Sequence, residues 1–208
     1  MHNAKLIWIT PDAEKLVGKI ARVSNPSNED NPNVGRLLKY LIKHRHWSPF
    51  EMVSMCVEID TTRAISPQIL RHRSFSFQEF SHRYAEATNV SLPDLRRQDF
   101  KNRQNSHDDL DPVKVEWLQE QIERHFNASM DLYKGLLAYG VAKECARALL
   151  PLSTDTRLYM SGTLRSWLHY CDLRCANGTQ AEHKRIADSV KDILFTEVPT
   201  IAHAMWDE

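Results

Sequence analysis

The sequence predicts an α+β fold: a helix-rich single domain over residues 1–208, with a small, mostly antiparallel sheet and no Rossmann fold. Three observations predict it. Most apolar residues recur at i, i+3, i+4 and i+7, the spacing of a helix with one buried face. One segment, FEMVSMCVEID over 50–60, alternates with period two, as a half-buried strand does. Neither G-x-G-x-x-G nor G-x-x-x-x-G-K-[ST] occurs, so the glycine turn of a doubly wound nucleotide fold is absent.

The first helix is expected to open at Thr10-Pro11, with Thr as N-cap and Pro at the first helical position. Ala13, Leu16, Val17, Ile20 and Ala21 form its buried stripe. A second helix starts near Asn33, turns Val34, Leu37, Leu38 and Leu41 inward, and ends around HRHWSP, because Pro49 disfavours helix at the residue before it. The strand follows, with Val53, Met55, Val57 and Ile59 on one face and Ser54 and Glu58 on the other. A short helix is expected over 62–70 around Pro67. Phe75 and Phe77 then alternate as in a strand, but Phe80 breaks the phase, which predicts a turn or bulge near Gln78-Glu79.

Residues 95–112 are polar and aperiodic and read as a mobile loop. A long helix starts at Asp111-Pro112, with Val115, Leu118, Ile122 and Phe126 inward, and breaks at Gly140. A short helix ends at Pro151. Residues 155–174 read as one helix with Met160, Leu164, Trp167, Leu168 and Cys171 on a single face. The last helix opens on the capping box Thr179-Gln-Ala-Glu182, buries Ile186, Val190, Ile193 and Leu194, and stops before Pro199.

Lysine plus arginine equals aspartate plus glutamate, 27 each, so the chain lacks the basic excess of a general nucleic-acid binder. No apolar run approaches the roughly 18 residues of a membrane span, and Met1–Ile9 is too short for a signal peptide. The four cysteines, Cys56, Cys145, Cys171 and Cys175, form no C-x-x-C and read as free thiols in a reducing compartment. A cytoplasmic protein is the expectation. His44 and His46 lack a third ligand in register, so no metal site is expected.

The densest chemistry lies in RHRSFSFQEFSHRY over 71–84. Arg71, Arg73 and Arg83 repel one another unless an anion sits among them, and each guanidinium can fork onto phosphate oxygens. Phe75, Phe77, Phe80 and Tyr84 supply apolar walls that strengthen each charge contact. Glu79, among these arginines, keeps its charged form and can accept from a ribose hydroxyl. Ser81 lacks a G-x-S-x-G frame and suits phosphate or ribose contact rather than nucleophilic attack. Two readings of His46 stay open: stacking or proton relay beside a flat cofactor, or a helix-terminal histidine favoured by the macrodipole. Arg165 and His169 share a helix face with Ser161, and that face is either a site wall or simply solvated.

Five segments together resemble the flavin-dependent thymidylate synthase family. Arg71-His72-Arg73, seven residues and then Ser81 match its long signature. HWSPFE over 46–51, ARVS over 21–24, ARALLP over 146–151 and GTLRSWLHYCDLR over 162–174 are similar to further family motifs, in the family order. The resemblance implies a homotetramer with active sites where subunits meet, FAD bound without a Rossmann loop, and NADPH as reductant. It implies methylene transfer from 5,10-methylenetetrahydrofolate to dUMP, giving dTMP and tetrahydrofolate without a cysteine nucleophile. By position it implies FAD contacts from Ser24, Ser48, Arg71, His72, Arg73, Glu79, Thr163, Leu164, Arg165 and His169. For dUMP it implies Gln68, Ile69, Leu70 and Arg71, then Glu79, Phe80, Ser81, His82 and Arg83, with Arg147 and Arg174. Arg174 matches the arginine against the uracil edge, and His46 the histidine near the folate and flavin rings, which makes these two the expected catalytic residues. Gln78, Thr163 and Gly178 depart from residues common in the family. A non-catalytic nucleotide-binding module and an Arg-aromatic RNA binder are the rival classes; the zero net charge argues against the second.

Overall fold

The computed structural model describes residues 1–207. Its strands are β1 (Asn3–Ile9), β2 (Ser54–Thr62), β3 (Ser76–Glu79), β4 (Arg97–Gln98), β5 (Ser106–His107) and β6 (Asp155–Thr163). Its helices are α1 (Ala13–Ala21), α2 (Gly35–Lys43), α3 (Ser66–Ile69), α4 (Pro112–Ala138), α5 (Lys143–Ala146), α6 (Leu164–Arg174), α7 (Ala181–Glu197) and α8 (Pro199–Trp206). Four strands make one antiparallel sheet in the order β1-β2-β6-β3. The expected helix-rich α+β architecture is therefore present.

The alternation that marks β2 also decides which way the sheet faces. Met55, Val57 and Ile59 are fully buried, as are Leu158 and Met160 on β6. Leu38 of α2, Trp167 and Leu168 of α6, Ile186, Val190 and Leu194 of α7 and Ile201 of α8 close over them. Each such side chain contributes about 1.5–3 kcal/mol through its removal from water. Trp167 adds a polar tie: its indole Nε1–H donates to the Met55 carbonyl at 3.0 Å. The opposite face is wet and charged, with Arg157 donating to Asp60 at 2.7 Å and Tyr159 to Glu58 at 2.7 Å.

Several expectations are corrected. Residues 155–163 are not helical. Thr156, Leu158 and Met160 point in and Arg157 and Tyr159 out, and pairing with β2 and β3 on both sides outweighs the helical spacing. Ser161 therefore lies on β6 and shares no helix face with Arg165 and His169. The expected cap at Thr10 is not formed. Its hydroxyl accepts from the Ser54 amide at 3.0 Å and extends the sheet, and α1 begins at Ala13 after a left-handed Asp12. Strand β1, not anticipated, lies at the sheet edge with Ile7 and Trp8 about half exposed and a bulge between Leu6 and Trp8, which blurs its alternation. Residues 48–52 form a 3-10 turn, so β2 starts at Ser54.

β3 runs unbroken through Gln78 and Glu79, opposite Tyr159 and Leu158. The turn comes later, where the Ser81 carbonyl accepts from the amides of Tyr84 and Ala85. The stretch read as mobile folds back through β4 and β5, because the Asp99 carboxylate accepts from the Lys101 and Asn102 amides and the Asn105 side chain. The Thr179–Glu182 capping box does not form. α7 begins at Ala181, and Arg96 holds Glu182 from both oxygens at 2.7 and 2.8 Å. On α4, Val115, Leu118, Ile122 and Phe126 are only partly covered, whereas Met130 and Tyr133 near its C-terminus are buried.

Trp167→Ala is expected to cost about 3–5 kcal/mol, since it empties a large core volume and removes the indole bond to the Met55 carbonyl. Chemical denaturation checks this, and a loss below about 1 kcal/mol would show that Trp167 does not anchor the sheet.

Candidate active site

The C-terminal end of α6 brings Arg174 against the turn that follows α3. Its Nε–H donates to His72 Nε2 at 2.9 Å. His72 is therefore an acceptor at that nitrogen. Burial and then the guanidinium push its pKa down to about 4, so the ring stays neutral at pH 7. His183 on α7 is wholly buried and its pKa is likewise held at about 4, by burial, Arg174 and His72. The rings of His72, Tyr170 and His183 meet at 5.0–6.0 Å between centroids. Arg174 pairs with no carboxylate among the described residues. It lines an open cleft of about 700 Å³ together with Gln68, Arg96, Arg103, Gln180 and Lys184.

At the other end of β3, the half-buried Glu79 is fixed through one oxygen. Ser66 Oγ donates to Oε1 at 2.5 Å and Thr156 Oγ1 at 3.1 Å, leaving Oε2 to other donors. His82 is buried against Phe80, with ring centroids 5.0 Å apart, and neither ring nitrogen has a partner among the described residues. Burial and the nearby Arg63 lower its pKa, Glu79 opposes this, and Arg147 adds to the lowering. Arg83 is exposed and pairs with Glu144 at 3.2 Å. Ser81 Oγ accepts from the Arg83 amide at 3.4 Å. Ile69 is buried in the core and Leu70 is exposed.

A third group forms where β6 becomes α6. Thr163 caps the helix by accepting from the Ser166 amide at 3.4 Å, and the buried Leu164 anchors the first turn. Within that first turn, Arg165 pairs with Glu51. His169 lies edge-on to Trp47 with centroids 4.7 Å apart, and burial lowers its pKa ahead of the Arg165 charge. Ser48 and Glu51 come from the 3-10 turn before β2, so HWSPFE and the late helix do meet. His46 is exposed and packs with Tyr40 and His44.

The structure thus divides the arginines of residues 71–84. Arg71 and Arg73 are exposed beside His72, while Arg83 lies beyond β3, whose four residues span roughly 13 Å. Gln68, His72 and Arg174 converge; Glu79, His82 and Arg147 converge; Arg165, His169 and Ser48 converge. Ser24, in the turn after α1, and His46 join none of these groups within one chain among the described residues. Sequence reasoning missed Arg96, Arg103, Gln180 and Lys184 on the cleft, and Tyr170 and His183 behind it. The Arg96-Arg97 doublet sits in a polar stretch without periodicity, and only the β4–β5 fold-back carries Arg96 to Glu182. Burial pushes that carboxyl up, but the Arg96 fork brings it below its ordinary value.

A family model described as thymidylate synthase complementing protein matches residues 5–200. A flavin-dependent thymidylate synthase of Synechocystis is 53% identical over 192 residues, covering 92% of this chain and 89% of that protein. The chain belongs to the flavin-dependent thymidylate synthase family. A probable flavin-dependent thymidylate synthase of Paramecium bursaria Chlorella virus 1 is 49% identical and covers 98% of both chains. Among solved structures, a UMP/dUMP methylase from Streptomyces cacaoi bound with 5-Br dUMP superposes with a TM-score of 0.85 at 26% identity, covering 97% of this chain and 93% of that one. The same methylase bound with 5-Br UMP gives 0.85 at 28% identity, covering 97% of this chain and 92% of that one. The antiparallel sheet under helices, without a Rossmann loop, is thus the fold of this synthase family.

Arg174→Ala is expected to raise the His72 pKa from about 4, though not to 6.5, because burial remains. Histidine NMR titration checks it; an unmoved pKa would mean that the guanidinium does not act on the ring. Both histidines bind protons more weakly folded than unfolded, so the unfolded chain takes up more protons as pH falls from about 6.5 toward 4. Stability should decline over that window in denaturation at stepped pH.

Proposed function

We propose that this chain is a flavin-dependent thymidylate synthase that converts dUMP to dTMP, with FAD bound, 5,10-methylenetetrahydrofolate as one-carbon donor and NADPH as reductant. The observation that carries the reading is Arg174: a guanidinium facing a cleft of nucleotide size, touching a neutral histidine and no acid among the described residues.

Arg174 lies against the uracil edge. A cation already in place beside N3 and O2 stabilises negative charge on the ring without reorganisation, and that anionic character makes C5 the better nucleophile toward the methylene carbon. The monophosphate is gripped by Arg147, Ser81 and Arg83. Arg83 exchanges Glu144 for phosphate at little cost, because an exposed ion pair is worth about 1 kcal/mol or less. Glu79, held by Ser66 and Thr156, offers its second oxygen to a ribose hydroxyl.

The residues fit FAD. Arg71 and Arg73 are exposed guanidiniums outside every ion pair among the described residues, matched to a pyrophosphate. Thr163, Arg165 and His169, with Ser48 opposite, form a wall of hydroxyl, imidazole and guanidinium for the flavin nucleotide, and the buried Leu164 anchors that wall from behind. Held by these residues, FAD would supply the hydride chemistry that completes the methyl group. His46 and Ser24 stand apart from Arg174 in one chain, which accords with a homotetramer whose sites draw on several subunits. The open apolar face of α4, with Val113 74%, Trp117 60% and Leu132 56% exposed, supports such assembly. No helix among the described residues is long and apolar enough to cross a membrane, and we place the enzyme in the cytoplasm.

The purified protein should show a flavin spectrum, and oxidation of the reduced flavin should depend on dUMP and the folate. A protein that neither retains nor takes up FAD overturns this reading. Arg174→Ala should lower turnover by about 10²-fold or more while FAD still binds; near-normal dTMP formation would remove its role. Light scattering should give about four times the chain mass, and a monomer would contradict the shared sites.

A further inference from the structure

Behind Gln68, itself an implied dUMP contact, lies a polar pair to which the reaction assigns no part. Tyr170, 1% exposed, and His183, fully buried, meet at 3.1 Å between Oη and Nε2. His183 Nδ1 lies 3.4 Å from Gln68 Oε1, and Gln68 Nε2 donates to Gln180 Oε1 at 2.6 Å. Gln68 and Gln180 line the same cleft as Arg174.

One hydrogen settles the direction of the whole chain. Among the described residues the Tyr170 hydroxyl has a single partner, His183 Nε2. If the hydroxyl accepted there, its own buried proton would be left unpaired, at a cost of about 1–3 kcal/mol. So the hydroxyl donates, and Nε2 accepts. The neutral ring then carries its proton on Nδ1 and donates to Gln68 Oε1. The Gln68 carboxamide is turned oxygen inward and nitrogen outward. Gln180 accepts one Gln68 N–H with its oxygen, while its own NH₂ is drawn to the Glu182 carboxylate, so the second Gln68 N–H is the donor left for the cleft. With the Arg174 guanidinium, this wall presents donors.

A donor wall suits a pyrimidine with carbonyl oxygens at C2 and C4. It opposes one with an amino group at C4, whose N–H would meet N–H and leave both unpaired. We propose that His183 and Tyr170 are positioning residues that hold the Gln68 N–H toward the base and so make the site take a 4-oxo pyrimidine nucleotide and reject a 4-amino one. The inference rests on the proposed synthase reading and adds to it how the base is chosen.

The test uses the flavin-loaded protein, with dUMP and dCMP affinities measured by calorimetry. Wild type should bind dUMP at least about a hundredfold more tightly. His183→Leu should cut that ratio about tenfold, as Gln68 becomes free to flip, and Tyr170→Phe should cut it in the same direction. A ratio unchanged within about twofold in the folded variants overturns the inference, since loss of packing alone would weaken both ligands alike. Imidazole ¹⁵N NMR of the wild type decides independently of the variants: His183 protonated at Nδ1 is expected, and protonation at Nε2 overturns it. If wild type fails to bind dUMP at all, the synthase reading falls and takes this inference with it; dUMP binding with an unchanged ratio sinks only the inference.

Discussion

A charged guanidinium held against an uncharged imidazole governs the site. Arg174 donates to His72, and both that ring and the buried His183 behind it stay uncharged at neutral pH. An arginine in this position keeps a positive potential aimed into the cleft, and Arg103 extends it along the same wall, while Lys184 is paired with Asp188. Had a carboxylate taken the place of His72, the pair would be satisfied internally and the cleft would have little call on an anion. The neutral partner fixes the geometry while leaving the charge available.

The sheet makes this arrangement stiff. β6 pairs along its whole length with β2, and the chain turns directly into α6 at the Thr163 cap. Every side chain on α6 is thereby indexed to the sheet: Arg165 and His169 near its start, Arg174 at its end. Trp167 on the inner face locks the helix to β2 through the Met55 carbonyl. β3, on the other edge of β6, carries Glu79 to a point where hydroxyls from α3 and β6 converge on one of its oxygens. Core packing and the candidate site use opposite sides of the same elements.

The chain also leaves interfaces open. The apolar side of α4 and the edge positions Ile7 and Trp8 are exposed to a degree that a lone folded chain has no reason to keep. Ser24 and His46 stand off from the Arg174 cleft. Both features are ones that the proposed homotetramer would use.

The sequence by itself determined a good deal. The phase of Met55, Val57 and Ile59 set the buried face of β2, and the stripes of α2 and α7 are where their spacing puts them. The order of the five motifs identified the family, because each marks a local requirement for charge or a turn. Tertiary structure decided the rest. Residues 155–163 have side chains compatible with either period, and only two flanking strands made them β6. Thr10 and Glu182 had the chemistry of caps, but Ser54 and Arg96, distant in sequence, claimed them first. Tyr170 and His183 looked like helix-core residues; that they aim Gln68 depends on three elements meeting, which no spacing along the chain encodes.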